Sequence, residues 1–307
     1  MRHLSDLELL GELEPTVAAN LERHLSMAEE WLPHEWLPWS RGRDFTGQTG
    51  LAWAPDQSAL PEAVRAAFEV NLLTEDNLPS YHHALASTFG RDRAWGTWVH
   101  RWTAEEARHA MSLRDYLLLT RAVDPVALER DRMTTMQRGW VSHRTEMLRS
   151  LAYVTFQELA TRVAHRNTGR LANDPVADAL LTRIATDENL HMVFYRDLMA
   201  AALAIAPEQA LEAIAAELRR FEMPGTGIPG FLRKSLLIAD AGIYDARVHR
   251  DEVVAPLVKY WRLADLRVTG DTARRAQEML AQHLDELELI AVRADARRAR
   301  LLTNPRF

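Results

Sequence analysis

Trp102-Thr103-Ala104-Glu105-Glu106-Ala107-Arg108-His109 and Asp187-Glu188-Asn189-Leu190-His191 are the stretches that decide how this chain folds. Each contains Glu-x-x-His. Residues at i and i+3 share one face of a helix, so each motif can bring a carboxylate and an imidazole to the same point. One copy alone means little, since about one such spacing arises by chance in a chain of this length and histidine content. Two copies with matched partners mean much more. Glu75 precedes Glu106 by 31 residues, and Glu158 precedes Glu188 by 30. A spacing near 30 suits two antiparallel helices of roughly 20–25 residues joined by a short turn.

Apolar residues recur at helical intervals along almost the whole chain, and no run alternates at period two for long enough to read as a strand. The pattern predicts an amphipathic helix over Leu4–Trp31 and a loop over Trp31–Gly50, marked by Pro33, Pro38, Gly42, Gly47 and Gly50. A second helix should run from Leu60-Pro61-Glu62 to Phe89, kinked by Pro79 about a turn after Glu75. Others are predicted over about Arg93–Ala122, up to Arg138-Gly139, from about Ser142 to Gly169, from Asp174-Pro175 to Ala206, and near Pro207–Glu222. After a Pro/Gly-rich loop at Met223–Gly230, helices continue to about Leu302. The expected fold is all-α, one domain over 1–307, with four long helices at its centre. A lone Glu on each of two helices, with Glu-x-x-His on each of the other two, is the ligand pattern of ferritin-like di-iron and di-manganese carboxylate bundles. Four carboxylates cancel the charge of two divalent ions, so such a site can be buried.

Composition narrows the chemistry. With 47% hydrophobic and 26% charged residues the chain is globular in type. Cysteine is absent, which removes disulfides, iron–sulfur clusters, thiolate zinc sites and thiol nucleophiles. A metal would be held by His and carboxylate, which favours iron, manganese or zinc. The formal charge of −6 opposes a nucleic-acid binder. No run approaches the roughly 18 apolar residues of a membrane span. Met1-Arg2-His3-Leu4-Ser5-Asp6-Leu7 turns acidic and amphipathic at once, unlike a secretory leader, so a soluble cytoplasmic protein is expected.

Thr74-Glu75-Asp76-Asn77-Leu78-Pro79-Ser80-Tyr81, the Trp102–His109 stretch, Thr155-Phe156-Gln157-Glu158-Leu159-Ala160-Thr161 and the Asp187–His191 stretch together resemble, in order, the soluble acyl-acyl-carrier-protein desaturases. These are the plastid stearoyl-type enzymes and their actinobacterial relatives. The likeness runs from about Trp31 to His191 and weakly beyond. It implies two iron ions, with manganese an alternative, held by Glu75, Glu106, His109, Glu158, Glu188 and His191. It also implies that Thr161, one turn after Glu158, lies beside the oxygen-binding face and helps proton delivery. A helix threonine bonded to its own backbone is the equal alternative. Asp187 and Trp31 resemble members of a hydrogen-bonded chain that joins His109 and leads electrons to the metals. An Asp in that place can equally orient the imidazole. Trp102 reads as packing, and His82, His83 and His165 as supporting or core residues. The chain departs from the plant pattern at Asp76, Ala107 and Asn189-Leu190 and is shorter over Phe89–Thr97. None of these removes a ligand; they bear on carrier docking, chain length and bond position.

The activity implied is O2-dependent introduction of a cis double bond into a fatty acyl chain carried by acyl carrier protein, in a homodimer. Nothing resembles a flavin or nicotinamide fingerprint, so electrons would come from an external donor such as ferredoxin. An acidic carrier needs a basic surface, for which Arg41 with Arg43, and Arg297-Arg298 with Arg300, are candidates. One alternative is a di-iron oxygenase acting on another carrier-tethered substrate. Another is a non-enzymatic iron or manganese protein, against which the extra loop and C-terminal helices argue. A radical-generating reductase subunit would place tyrosine four residues after the first ligand histidine, where this chain has Leu113.

Overall fold

Ser5 opens the first helix, α1 (Asp6–Met27), by a reciprocal exchange: its Oγ accepts from the Glu8 amide, and the Glu8 carboxylate accepts from the Ser5 amide. The structure, a computed structural model, describes residues 3–45, 50–144 and 146–303. Among the described residues there are helices and loops and no strand. The loop expected over Trp31–Gly50 contains 3-10 turns at Pro33–Glu35 and Trp39–Arg41, and Gly47 lies outside the described residues.

The helix expected from Glu62 to Phe89 is two helices, α2 (Glu62–Glu75) and α3 (Leu78–Phe89). The break falls at Asp76-Asn77, earlier than Pro79 alone indicates. Pro79 sits in the first turn of α3, where its missing N–H costs nothing. α4 (Arg93–Leu119) and α5 (Pro125–Arg138) follow, and Arg132 of α5 holds the Asp76 carboxylate at the break. Gly139, at φ 63°, ends α5 in a conformation that a side chain would oppose.

α6 (Met147–Leu171) begins later than the predicted Ser142. The Ser142 hydroxyl takes the Arg144 amide, and the Met147 amide donates to Asp6 at the start of α1. The cap of α6 thus comes from across the chain, which local propensity does not reveal. α7 (Pro175–Ile205), α8 (Pro207–Arg219) and α9 (Phe231–Asp240) come next. α10 (Ala246–Val248) runs through a π-helical turn, His249–Val254, into α11 (Ala255–Tyr260), and α12 (Asp271–Thr303) closes the chain.

The antiparallel pair α6 and α7 shares the largest contact in the molecule, and α2 and α4 pack with it. α1 lies on α4 and α7, while α8 covers the outside of α6 and α12 packs in turn on α8. α6 is buried on nearly every side, from Leu151 through Phe156 without interruption, as a central helix must be. Two apolar clusters form the core. One holds Trp98 and Trp102 of α4 with Phe194 and Leu198 of α7; the other holds Leu113 and Tyr116 of α4 with Leu180 and Ile184 of α7. Along both helices the Glu-x-x-His motif lies between the clusters, so apolar packing seals a polar layer from both ends.

Asp174 anchors α7. Its carboxylate accepts from the Val176 amide at 2.9 Å, from the Tyr116 hydroxyl at 2.8 Å and from Arg41. Partial burial works to raise its pKa, but Arg41, the Val176 amide and Tyr116 outweigh it and hold the carboxyl below the usual range. Asp174→Ala should lower unfolding free energy by about 2 kcal/mol in urea titrations, from the lost cap and charged hydrogen bonds. Because the folded pKa is depressed, that difference should persist at neutral pH and vanish only on acidification below about pH 4.

Candidate metal centre

The structure brings all six predicted residues together. Glu75 is the last residue of α2, Glu106 and His109 lie mid-way along α4, Glu158 is on α6, and Glu188 and His191 are on α7. Their ligand-type atoms fall into two groups. One is Glu75, Glu106, His109 and Glu188; the other is Glu106, Glu158, Glu188 and His191. Each group could hold one ion, and Glu106 and Glu188 belong to both. His109 Nδ1 stands 3.4 Å from both Glu106 and Glu188, and His191 Nδ1 stands 2.9 Å from Glu106 and 3.5 Å from Glu158. Both imidazoles are fully buried.

The donor set fits a pair of cations on a further count. Glu106 Oε1, Glu158 Oε2, both Glu188 oxygens and both Nδ1 atoms are buried and make no hydrogen bond. Buried polar atoms are rarely left so, and six orphans converging on one space call for positive charge there. Without it, burial pushes the Glu75 carboxyl well up, followed by repulsion from Glu106 and Glu188. Glu188 rises likewise through burial and then Glu106. Burial opposes charge on His109 and His191, but the surrounding carboxylates prevail and raise both. The metal-free site therefore traps protons that a cation must displace.

The outward nitrogens are fixed by carboxylates. His109 Nε2 lies 3.4 Å from Asp187, which accepts from Trp31 Nε1 at 2.8 Å, from Arg108 at 3.1 Å and from Arg183. The predicted chain of Trp31, Asp187 and His109 is thus contiguous. His191 Nε2 lies 3.0 Å from Glu105. Trp102, read as packing, does more: its indole N–H donates to Glu158 Oε1 at 2.9 Å. His165 is buried with Nε2 3.6 Å from Glu75 and Nδ1 on the Asn71 amide, and burial lowers its pKa to about 3, so it stands by as a neutral ring. Thr161 Oγ1 donates to the Gln157 carbonyl and accepts from the Gln157 side chain, the backbone-bonded geometry. His82 pairs with Thr103 away from the six.

Two cavities reach Glu75. One is lined by Tyr81, Leu85, Trp102, Tyr153, Val154 and Gln157 and touches Glu106. The other lies between α2, α6 and α9 and is lined by Val70, Thr161, Ala164, Phe231, Ile238 and Tyr244. Arg41, Arg297 and Arg298 are occupied by Asp174, Asp240 and Asp245. Arg138, Arg144, Arg149, Arg219 and Arg220 line, with Glu217 and Glu222, a surface cleft that meets the first cavity at Trp140, Arg144, Tyr153 and Pro224, and Glu217 pairs with Arg144 and Arg149.

A four-helix core with two carboxylate-sharing Glu/His groups defines the ferritin-like class of metal-carboxylate bundles. The fatty acid desaturase profile matches residues 5–306, and the chain belongs to that family. It is 48% identical, over 97% of its length and 91% of the relative's, to DesA1 of Mycobacterium tuberculosis, named as an acyl-[acyl-carrier-protein] desaturase. It is 32% identical, over 88% of its length and 73% of the relative's, to the chloroplastic stearoyl-[acyl-carrier-protein] 9-desaturase 6 of Arabidopsis thaliana. The X-ray structure of DesA2 from Mycobacterium tuberculosis H37Rv superimposes with a TM-score of 0.72 at 32% identity, covering 87% of this chain and 98% of that one. The protein is accordingly an oxidoreductase of the desaturase kind. Among the described residues, no helix is long and apolar enough to cross a membrane.

Sequence reasoning passed over His24 and Glu105. Glu105 was visible as the acid before Glu106, in the place that Asp187 holds before Glu188. His24 carried no signal, since only tertiary packing sets α1 against the site.

The raised carboxyls and imidazoles give a signed expectation. Unfolded Glu side chains ionise near pH 4 to 5, whereas folded Glu75 and Glu188 stay protonated above that, so the metal-free protein should lose stability as pH rises from about 5 to 8. The melting temperature should fall across that window, and Glu188→Gln, which keeps the shape without an ionisable group, should flatten the slope. Iron should reverse it for wild type and leave Glu188→Gln unchanged. A metal-free melting profile that is flat in pH would contradict this account.

Proposed function

We propose that this protein is an acyl-acyl-carrier-protein desaturase that uses two iron ions, dioxygen and an external one-electron donor such as ferredoxin. The observation that carries the reading is the convergence of six buried, unpartnered ligand atoms next to two mainly apolar cavities. Similarity to proteins named as acyl-[acyl-carrier-protein] desaturases supports the carrier-bound substrate. Glu75 and His109 would hold one ion, Glu158 and His191 the other, and Glu106 and Glu188 would serve both. Those ions would supply dioxygen reduction: two hydrogens leave adjacent methylenes, two electrons and two protons arrive, and both oxygen atoms depart as water.

The chain's own residues supply the rest. The cavity walls hold an extended acyl chain against Glu75 and Glu106 and exclude bulk water, which keeps the reacting methylenes in one register. Trp102 fixes the orientation of Glu158 through the indole N–H. Asp187, held by Trp31, Arg108 and Arg183, fixes the ring of His109 with Nδ1 turned inward and connects it toward α1 and the following loop. Thr161 lines the cavity on the α9 side with its O–H on the Gln157 carbonyl; turned from that carbonyl into the cavity, this hydroxyl would be the proton-delivery group of the proposal.

Iron-loaded protein given reduced ferredoxin, dioxygen and stearoyl or palmitoyl carrier thioester should yield a mono-unsaturated acyl chain, read by mass spectrometry of the released acid. A hydroxylated product would move the assignment to an oxygenase, and the absence of turnover would count against catalysis on these chains. Asp187→Ala should lower turnover by about 10- to 100-fold, the usual cost of removing the carboxylate behind a metal-bound imidazole.

A further inference from the structure

Each acidic residue that precedes a glutamate shared by the two groups meets the histidine of the other motif. Asp187, on α7, meets His109 of α4; Glu105, on α4, meets His191 of α7. The two arrangements differ in what lies behind the acid. Asp187 is backed by an indole and two guanidinium groups. Glu105 is backed by His24 of α1, whose Nε2 lies 2.9 Å from the same Oε2 that meets His191, while Arg101 takes Oε1. Arg108, 3.7 Å from Glu105 and 3.1 Å from Asp187, touches both acids.

A carboxylate only accepts, so both rings donate through Nε2 to Glu105. For His191 this leaves Nδ1 bare and aimed at Glu106 and Glu158. For His24 it leaves Nδ1 buried without a partner. His24 is 3% exposed, sits edge-on to Trp98 at 5.0 Å and stacks over His191 at 5.9 Å between ring centres. A polar ring kept so deep with one nitrogen unsatisfied costs stability, so its place there points to the work of the other nitrogen on Glu105. Separations of 2.9 and 3.0 Å to one shared oxygen are hydrogen bonds. Unlike the six, this trio leaves no carboxylate oxygen without a partner, since Arg101 takes the other Glu105 oxygen, so nothing here calls for a cation.

We propose that His24 and Glu105 are positioning residues for His191, and that through it they set the strength of the metal position made with Glu158, separately from the Trp31–Asp187 arrangement behind His109. This rests on the six-residue metal site proposed above. α1 is thereby coupled to one of two otherwise similar metal positions.

The test is an anaerobic titration of metal-free protein with ⁵⁷Fe(II), read by bound iron and by Mössbauer spectra, for wild type, His24→Leu and His24→Gln, with circular dichroism confirming the fold. Wild type should bind two irons. His24→Leu should bind one as before and the second about 10- to 100-fold more weakly, losing one of two spectral components at limiting iron. His24→Gln keeps an N–H donor for Glu105 and should recover the second iron to within a few-fold. A His24→Leu protein with wild-type titration and spectrum overturns the proposal, as does a folded His24→Gln no better than His24→Leu. Should His24→Leu fail to fold, Glu105→Gln is read in its place: a weakened second iron supports the proposal and a wild-type titration overturns it. Wild type that takes up no iron overturns the metal site and the positioning pair together, which separates the two failures.

Discussion

Four carboxylates and two imidazoles share one buried layer, and the rest of the molecule is arranged around the cost of keeping them there. Charges so close in a low-dielectric interior repel, and in the metal-free protein the repulsion is relieved by holding protons on Glu75 and Glu188. The layer persists because it is over-determined from outside. Apolar clusters close it along α4 and α7 on both sides. Strain of this kind marks a site kept for chemistry rather than stability.

A second ring of contacts gives the layer its orientation. Trp102 holds Glu158, Asp187 holds His109, and Glu105 holds His191. The last two cross between α4 and α7, so neither candidate metal position is the property of a single helix. Arg108 spans the two outer acids and lies over the Trp31 ring at 5.0 Å, tying the post-α1 loop to the same framework. The cavities on either side of Glu75 then face a rigid wall, which a reaction at one chosen methylene pair requires.

Much of this was legible in the sequence because helices write their faces at fixed intervals. The i, i+3 spacing of Glu106 with His109 and of Glu188 with His191, and the matched upstream glutamates, translate into geometry without knowledge of the fold. Helix ends were less legible. The split between α2 and α3 is stabilised by Arg132 reaching Asp76, and the late start of α6 by Asp6 capping it from α1. Both partners are distant in sequence, so neither leaves a local mark. Trp102 packs in the core as expected, but its bond to Glu158 left no mark, because an indole on an apolar stripe gives no sign of where its single N–H points.

The sequence by itself determined the six ligand candidates, the all-helical architecture and the family, since these depend on residue type and periodicity along single helices. Of the groups that stand behind them, Asp187 and Trp31 were expected from the resemblance, and the others only tertiary structure decided. Whether Glu106 and Glu188 belong to one metal position or to both depends on how four helices cross. The use of Glu105 for His191, and the arrival of His24 from 81 residues away in the chain, depend on α1 packing over α4 and α7. Hydrogen bonds between helices carry no periodic signature, because their spacing in sequence is set by loop lengths and crossing geometry rather than by the turn of a helix.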